Sequence, residues 1–202
     1  MAETCFEEVK QAISIAFSFS QNYPKQTGFI IAGRTGQKTG SRATLFAEGS
    51  MFAGLNATQK DDHPITVQTG HSVSEIIVSP EKIDYTGIHS PDFFVLISKD
   101  GLRRVRARIE PLPETCVLYV GKSIELPDTK ARVLWFPFTQ IGKQVSKIYV
   151  TTAALAAMLE DTGMFPIEAF ATAIRTFQSP AIAENSLRAL ASGVELVRKL
   201  GK

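Results

Sequence analysis

The sequence predicts an α/β protein: a three-layer α/β/α arrangement around a largely parallel or mixed sheet, with a Rossmann-like opening unit and a helical C-terminal third. Three observations carry this expectation. A short continuous apolar run, Phe29-Ile30-Ile31-Ala32, feeds a glycine cluster and then a helix-forming stretch, the order expected of a buried strand turning into a helix. Further β-branched or aromatic runs recur between Val73 and Phe136. From Ser146 onward the pattern is helical.

Taken in order, residues 1–20 place Phe6, Val9, Ile13, Ala16 and Phe17 on one stripe of a helix. A connector follows at 21–26, because Pro24 lacks an N–H and biases its neighbour away from helix. Residues 1–27 thus read as a helical extension with its connector, and 28–202 as the main domain. The strand Phe29–Ala32 ends at Gly33-Arg34-Thr35-Gly36-Gln37-Lys38-Thr39-Gly40, and a helix runs on to about Gly54 with Gly49 tolerated inside it. Val73–Ser79 and Phe93–Ile97 read as strands, the second preceded by Pro91-Asp92. A helix spans Lys99–Ile109. Val117–Val120 is a strand closed by Gly121, and Val133–Phe136 is one stopped by Pro137. Ala153–Leu159 is rich in strong helix formers. Gly163 ends that helix, and Pro166 starts the next, Ile167–Phe177. Pro180 opens a last helix with apolar residues at Ile182, Leu187, Leu190, Val194 and Val197.

Composition excludes several classes. The chain has 202 residues, 44% hydrophobic and 21% charged, which is globular and not disordered. A net charge of +2 is no footprint of a nucleic-acid binder. The basic run Arg103, Arg104, Arg106, Arg108 reads as a solvated helix face. The two cysteines, Cys5 and Cys116, form no CxxC, so the chain supplies neither four thiolates for an iron–sulfur cluster nor a cysteine zinc site. Cys116, inside an apolar run, reads as a small buried hydrophobe. No stretch reaches the roughly 20 apolar residues of a membrane helix. The start carries Glu3, Glu7 and Glu8 rather than a basic segment, so no signal peptide and a cytoplasmic location are expected.

The glycine cluster is the main candidate site. Loop N–H groups and a helix N-terminus converge there, an arrangement suited to an anion. The spacing Gly33-x-x-Gly36-x-x-x-Gly40 is not a Rossmann G-x-G-x-x-G. Gly28 to Thr35 nearly spells a P-loop, with Arg34 for Lys, but Gly28 then belongs to the strand and not to the loop. At Gly36 a tight turn and a ligand contact are equally good readings. The second cluster is Gln68-Thr69-Gly70-His71-Ser72-Val73-Ser74-Glu75. His71 and Ser72 are neighbours on a strand and point to opposite faces, so they make a poor base–nucleophile pair. His71 reads better as a polar contact at a strand start or subunit edge. His63 precedes Pro64, and His89 sits among turn residues. These three scattered histidines suggest no metal site.

At these clusters the chain resembles the gamma subunit of the pyruvate/2-oxoacid:ferredoxin oxidoreductase family. That family opens with a strand and a G-x-G-G-Q-G-type loop before an alanine-rich helix. Gly33, Gly36 and Gln37 match, and Thr35 and Lys38 stand where the family has glycine. Gly70–Ser79 is similar to the family's glycine turn and following strand, and Pro91-Asp92-Phe93-Phe94-Val95-Leu96 to its Pro-Asp strand. Pro137-Phe138-Thr139-Gln140-Ile141-Gly142 resembles its Pro-x-Thr stretch, and Thr162–Glu168 its last turn before the closing helices. The resemblance implies a cofactor-binding set of Gly33, Arg34, Thr35, Gly36, Gln37, Gly40, Gly70, His71 and Ser72, with no catalytic residue and no metal ligand. It implies a subunit of an enzyme that decarboxylates a 2-oxoacid on thiamine diphosphate, passes electrons through iron–sulfur clusters to ferredoxin, and forms an acyl-CoA. Those cofactors are expected mostly on alpha-, beta- and delta-type partners; this chain has no G-D-G…N-N segment. Here the loop would face either a CoA phosphate or a partner, and the isolated chain is expected to be inactive. A homodimer of the isolated chain is compatible with this reading. The alternative is a freestanding nucleotide- or CoA-binding α/β protein without redox activity.

Overall fold

The computed structural model describes residue 23 and residues 25–64 and 70–200; the helix expected over 1–20 lies outside them. The central strand is β1 (Thr27–Arg34), extending the apolar run by two residues at each end. It pairs antiparallel with β3 (His71–Ser79) and parallel with β4 (Phe93–Leu96). Two more parallel strands, β5 (Val117–Gly121) and β6 (Arg132–Phe136), continue the sheet. On the other side β2 (Asn56–Asp62) pairs antiparallel with β3. The order is β2-β3-β1-β4-β5-β6 in one six-stranded mixed sheet.

Alternation along β1 divides the interior in two. Phe29 and Ile31 enter one core, and Ile30 and Ala32 the other. Helix α1 (Thr39–Phe52) covers the first face. With it lie α3 (Phe138–Val145), α4 (Val150–Thr162), α5 (Ile167–Phe177) and α6 (Pro180–Leu200). Helix α2 (Lys99–Ile109) covers the second face through Leu102, Val105 and Ile109. A 3₁₀ turn, Lys147–Tyr149, joins α3 to α4.

Phe46 of α1 anchors the thicker core. Its ring meets Phe29, Phe165 and Phe170 at centroid separations of 5.1, 4.8 and 5.3 Å, each such contact contributing about 0.5–1.5 kcal/mol beyond the area it buries. Helix α4 is buried along every residue from Val150 to Leu159, which is why its sequence is apolar all round rather than striped. Helix α6 crosses it so closely that a Cβ at Gly193 would collide with the Ala153 carbonyl oxygen. Gly163 closes α4 with φ +61°, the left-handed conformation that glycine takes at least cost. Cys116 is fully buried, as expected.

Two elements depart from the expected string. β2, Asn-Ala-Thr-Gln-Lys-Asp-Asp, has no apolar alternation, because it is a border strand whose one backbone ladder is to β3. Pro137 not only stops β6 but also stands at the head of α3. The opposite border, β6, carries the exposed Trp135. Among the described residues no helix is long and apolar enough to cross a membrane.

Tyr119 on β5 ties the sheet to α4: its hydroxyl donates to Asp161 Oδ2 at 2.7 Å. Burial, and then the Asp161 hydrogen bond and charge, push the phenol far above its ordinary value. The unfolded chain therefore ionises this group first, near pH 10, and stability falls as pH rises past that point. Tyr119→Phe is expected to cost about 1 kcal/mol at neutral pH and to flatten the alkaline loss, as read by denaturant titrations across pH.

Candidate functional site

The carboxyl ends of β1, β4 and β6 open onto one hollow of about 430 Å³, within the size range of small-molecule sites. The strand order reverses at β1, with β3 and β2 to one side and β4, β5 and β6 to the other, and such switch points are where open α/β sheets hold ligands. One wall is the loop Arg34-Thr35-Gly36-Gln37, with Ile97 beside it just past β4. The other is Phe138, Thr139 and Gly142 of α3, with Lys147, Ile148 and Val150.

The loop holds its shape through its own backbone. Gln37 N–H donates to Arg34 O at 3.1 Å, and Gln37 Oε1 accepts from Arg34 N–H at 2.8 Å. Gln37 thus staples the turn with its side chain. Thr151 Oγ1 donates to Gln37 O at 3.1 Å, fixing the start of α4 against the loop. Gly36 takes φ +90°, and a Cβ there would meet nothing within 4 Å, so it faces open space rather than packed protein. At Gly33 a Cβ would lie 2.7 Å from Thr39 Oγ1 and 2.9 Å from Gln37 Oε1; glycine lets the loop fold back over the strand end. Lys38 begins α1 in the left-handed region, φ 55°, at one of the positions where the resembled family has glycine.

Charge on the pocket wall is one-sided. Arg34 and Lys147 line it and no carboxylate does. With the start of α1 behind the loop, the hollow is suited to an anion.

The structure therefore brings Arg34, Thr35, Gly36 and Gln37 to the pocket, with Gly33 directly beneath them. The other sequence candidates lie off its wall. Gly40, in the first turn of α1, faces Asp61 and His63 on the β2 side, and its carbonyl accepts from Gln59 Nε2 at 3.1 Å. Gly70 and His71 support the loop from behind: Thr35 N–H donates to Gly70 O at 3.0 Å and Thr35 Oγ1 to His71 O at 3.3 Å. The His71 ring turns away, with Nε2 3.5 Å from Asp62 Oδ1 but without hydrogen-bond geometry. Ser72 is buried opposite Gly33, its Oγ 3.2 Å from His63 Nδ1 rather than near the His71 ring.

A second hollow of about 500 Å³ lies between β2, β3 and α2. Four of its charges are matched in pairs: Arg104 Nε holds Asp62 Oδ2 at 2.6 Å, and Arg108 holds Glu75 at 2.5 Å. Burial pushes the Asp62 carboxyl up, but the Arg104 hydrogen bond and charge, with His71 alongside, hold it below its ordinary value. Half of the basic run is thus committed to bracing α2 against the sheet, while Arg103 and Arg106 form ion pairs within or just past α2.

Sequence reasoning gave no site role to the α3 wall or to Lys147 and Ile148. The Pro137–Gly142 stretch was visible in the resemblance, but nothing local showed that it would face the glycine loop. Lys147 follows Ser146, which takes φ 84°; an isolated lysine in a turn carries no pattern.

The profile of the pyruvate ferredoxin/flavodoxin oxidoreductase family matches residues 28–196. Among curated relatives, a 2-oxoglutarate synthase subunit KorC from Methanothermobacter thermautotrophicus is 29% identical, over 94% of this chain and 96% of its own. The KorC subunit from Archaeoglobus fulgidus is 24% identical, over 89% and 92%. A keto/oxoacid ferredoxin oxidoreductase gamma subunit from Geobacter sulfurreducens shares the fold, with TM-score 0.73 and 23% identity over 87% of this chain and 98% of that one. A longer chain of a 2-oxoglutarate:ferredoxin oxidoreductase from Magnetococcus marinus, solved with 2-oxoglutarate, coenzyme A and succinyl-CoA, aligns with TM-score 0.74 and 18% identity, over 87% of this chain and 32% of that one.

The loop is also held from below by α2. Ser98 caps that helix, accepting from Gly101 N–H at 3.1 Å, and Gly101 lies flat on the end of β1. A Cβ at Gly101 would stand 2.5 Å from the Ala32 carbonyl carbon and 2.8 Å from Gly33 N, and backbone cannot swing aside. Gly101→Ala is expected to lower unfolding stability by about 1–3 kcal/mol, measured by urea denaturation. The loop's backbone amides should shift with it in an NMR spectrum.

Proposed function

Because this chain belongs to the pyruvate ferredoxin/flavodoxin oxidoreductase family, as the gamma-type subunit of a 2-oxoacid:ferredoxin oxidoreductase, we propose that it holds the phosphate end of coenzyme A for that complex. The observation that carries this is the pocket wall of Arg34 and Lys147, without a carboxylate, around a glycine at φ +90° that opens into the hollow. The residues fit the group. The start of α1 stands behind the loop, Arg34 and Lys147 would offset the charge of a phosphate, and Ile97, Phe138 and Ile148 offer apolar surface to the rest of the molecule. Bound coenzyme A supplies the thiol that accepts the acyl group. This chain's residues bind and orient it, with Gln37 and Thr151 keeping the loop in its receiving shape.

The redox chemistry belongs, in this reading, to alpha-, beta- and delta-type partners carrying thiamine diphosphate and iron–sulfur clusters, with ferredoxin as the acceptor. This chain's residues do not fit a cluster. Among the described residues no group of three or more His, Cys, Asp or Glu is placed to hold a metal ion. Burial, and then Asp92, push the Cys116 thiol up to about 12, far from the thiolate a cluster needs. The relatives named 2-oxoglutarate synthase support 2-oxoglutarate as the oxoacid, and this reading puts the complex in the cytoplasm.

The test is Gly36→Val in the assembled complex. A branched side chain at φ +90° both strains the turn and fills the approach to the hollow. The KM for coenzyme A is expected to rise about tenfold or more, the scale of one lost charge-assisted hydrogen bond, with the KM for the oxoacid unmoved. An unchanged KM for coenzyme A in a complex that still assembles defeats the reading. Tight coenzyme A binding by the chain alone, with no association to partners, favours the freestanding alternative.

A further inference from the structure

Arg42 sits in the first turn of α1 with only 5% of its surface exposed, yet no carboxylate reaches it among the described residues. The contrast with other arginines is sharp. Arg103, Arg104, Arg108, Arg175 and Arg198 are all more exposed, and each holds a carboxylate at 3.0 Å or less. Arg42 Nε is closed off from solvent and has no hydrogen-bond partner. The guanidinium instead lies over the Tyr149 ring, 5.0 Å from its centroid. A cation–π contact recovers only part of what burying an ion costs. Burial accordingly pushes Arg42 below its ordinary value, and Tyr149 offsets this in part.

Its place in the fold gives this unmatched charge a direction. Arg42 N–H bonds Lys38 O at 3.0 Å, so the residue stands one helical turn behind the glycine loop. Tyr149, the ring it lies on, is flanked by Ile148 and Val150, both of which wall the pocket. Two residues beyond Tyr149, Thr151 fastens the same segment to Gln37. The guanidinium lies over the Tyr149 ring with Nε shut in and unpartnered. A guanidinium is a planar fork that matches two oxygens of one phosphate. Thr39, one turn closer to the loop, adds a buried hydroxyl that also lacks a partner.

We propose that Arg42 is a third, inner cation of the anion site, completing with Arg34 and Lys147 the grip on a phosphate group of the bound cofactor. The inference rests on the coenzyme A reading above, and it assigns a role to a residue that neither lines the pocket nor belongs to the glycine motif. Isolated, the chain tolerates an unmatched buried charge; the ligand brings the missing anion.

The experiment compares Arg42→Met, Arg42→Lys and Gly36→Val in the assembled complex, reading the KM for coenzyme A, with the melting temperature of each full-length chain alone and with inorganic pyrophosphate. Arg42→Met is expected to melt higher than the native chain without ligand, since an unpaired buried charge is gone. It should also lose the pyrophosphate-induced rise and increase the KM for coenzyme A about tenfold. Arg42→Lys, which keeps the charge without the fork, should fall between. A native KM in both Arg42 variants while Gly36→Val raises it overturns the role of Arg42 and leaves the coenzyme A reading standing. A native KM in all three overturns both. If Arg42→Met weakens subunit association with the KM unmoved, the missing anion is a partner carboxylate and the proposal fails. If Arg42→Met does not assemble, Arg42→Lys decides on the same scale.

Discussion

Everything in this molecule depends on β1 being walled in on all sides. β3 and β4 take its edges, and its residues alternate between two cores, so Phe29 to Ala32 have no exposed surface at all. A strand so enclosed cannot slip by one residue without sending Phe29 and Ile31 into the space of Ile30 and Ala32. Its register fixes where Gly33 falls, and Gly33 fixes where the chain leaves the sheet. The pocket is therefore positioned by packing some distance from it, and the loop itself needs little structure beyond the Gln37 staple and the tie to Thr151.

That dependence explains what was legible in the sequence. The strands that line up beside β1 are continuous apolar or β-branched runs, and α2 was bounded to the residue, because Ser98 and the Leu102/Val105/Ile109 stripe are local signals. The family resemblance made the ordered set of motifs readable before any geometry. β2 was not legible: its pairing energy comes from β3, and its own residues carry no alternation. In the site, the glycine-loop half could be read because glycines announce a backbone that must turn. The half built from α3 and the 3₁₀ turn could not, since it reaches the loop only through the long return of the chain across β6. Gly70 and His71 meet the loop through carbonyl oxygens that accept from Thr35, and backbone contacts of this kind leave no mark in side-chain identity.

The two hollows show how differently one sheet can use charge. Between α2 and the antiparallel strands, both arginines meet acids of the same chain, Asp62 and Glu75. At the carboxyl edge, cations gather around Gly36 with no acid among the lining residues. The first arrangement is finished by folding. The second stays electrostatically incomplete, which is the expected condition of a surface whose counterpart comes from outside.

The unlike borders of the sheet bear on how such a chain survives before it meets other subunits. Growth into a fibre needs one rim of a sheet to accept the opposite rim of the next copy, head to tail without closure. Here the β2 rim presents Lys60, Asp61 and Asp62, and wet, charged side chains discourage a neighbour's ladder from adding there. The rim that bears Trp135 can then stay apolar without risk, because the polar one acts as a terminator and deprives a polymer of its second end.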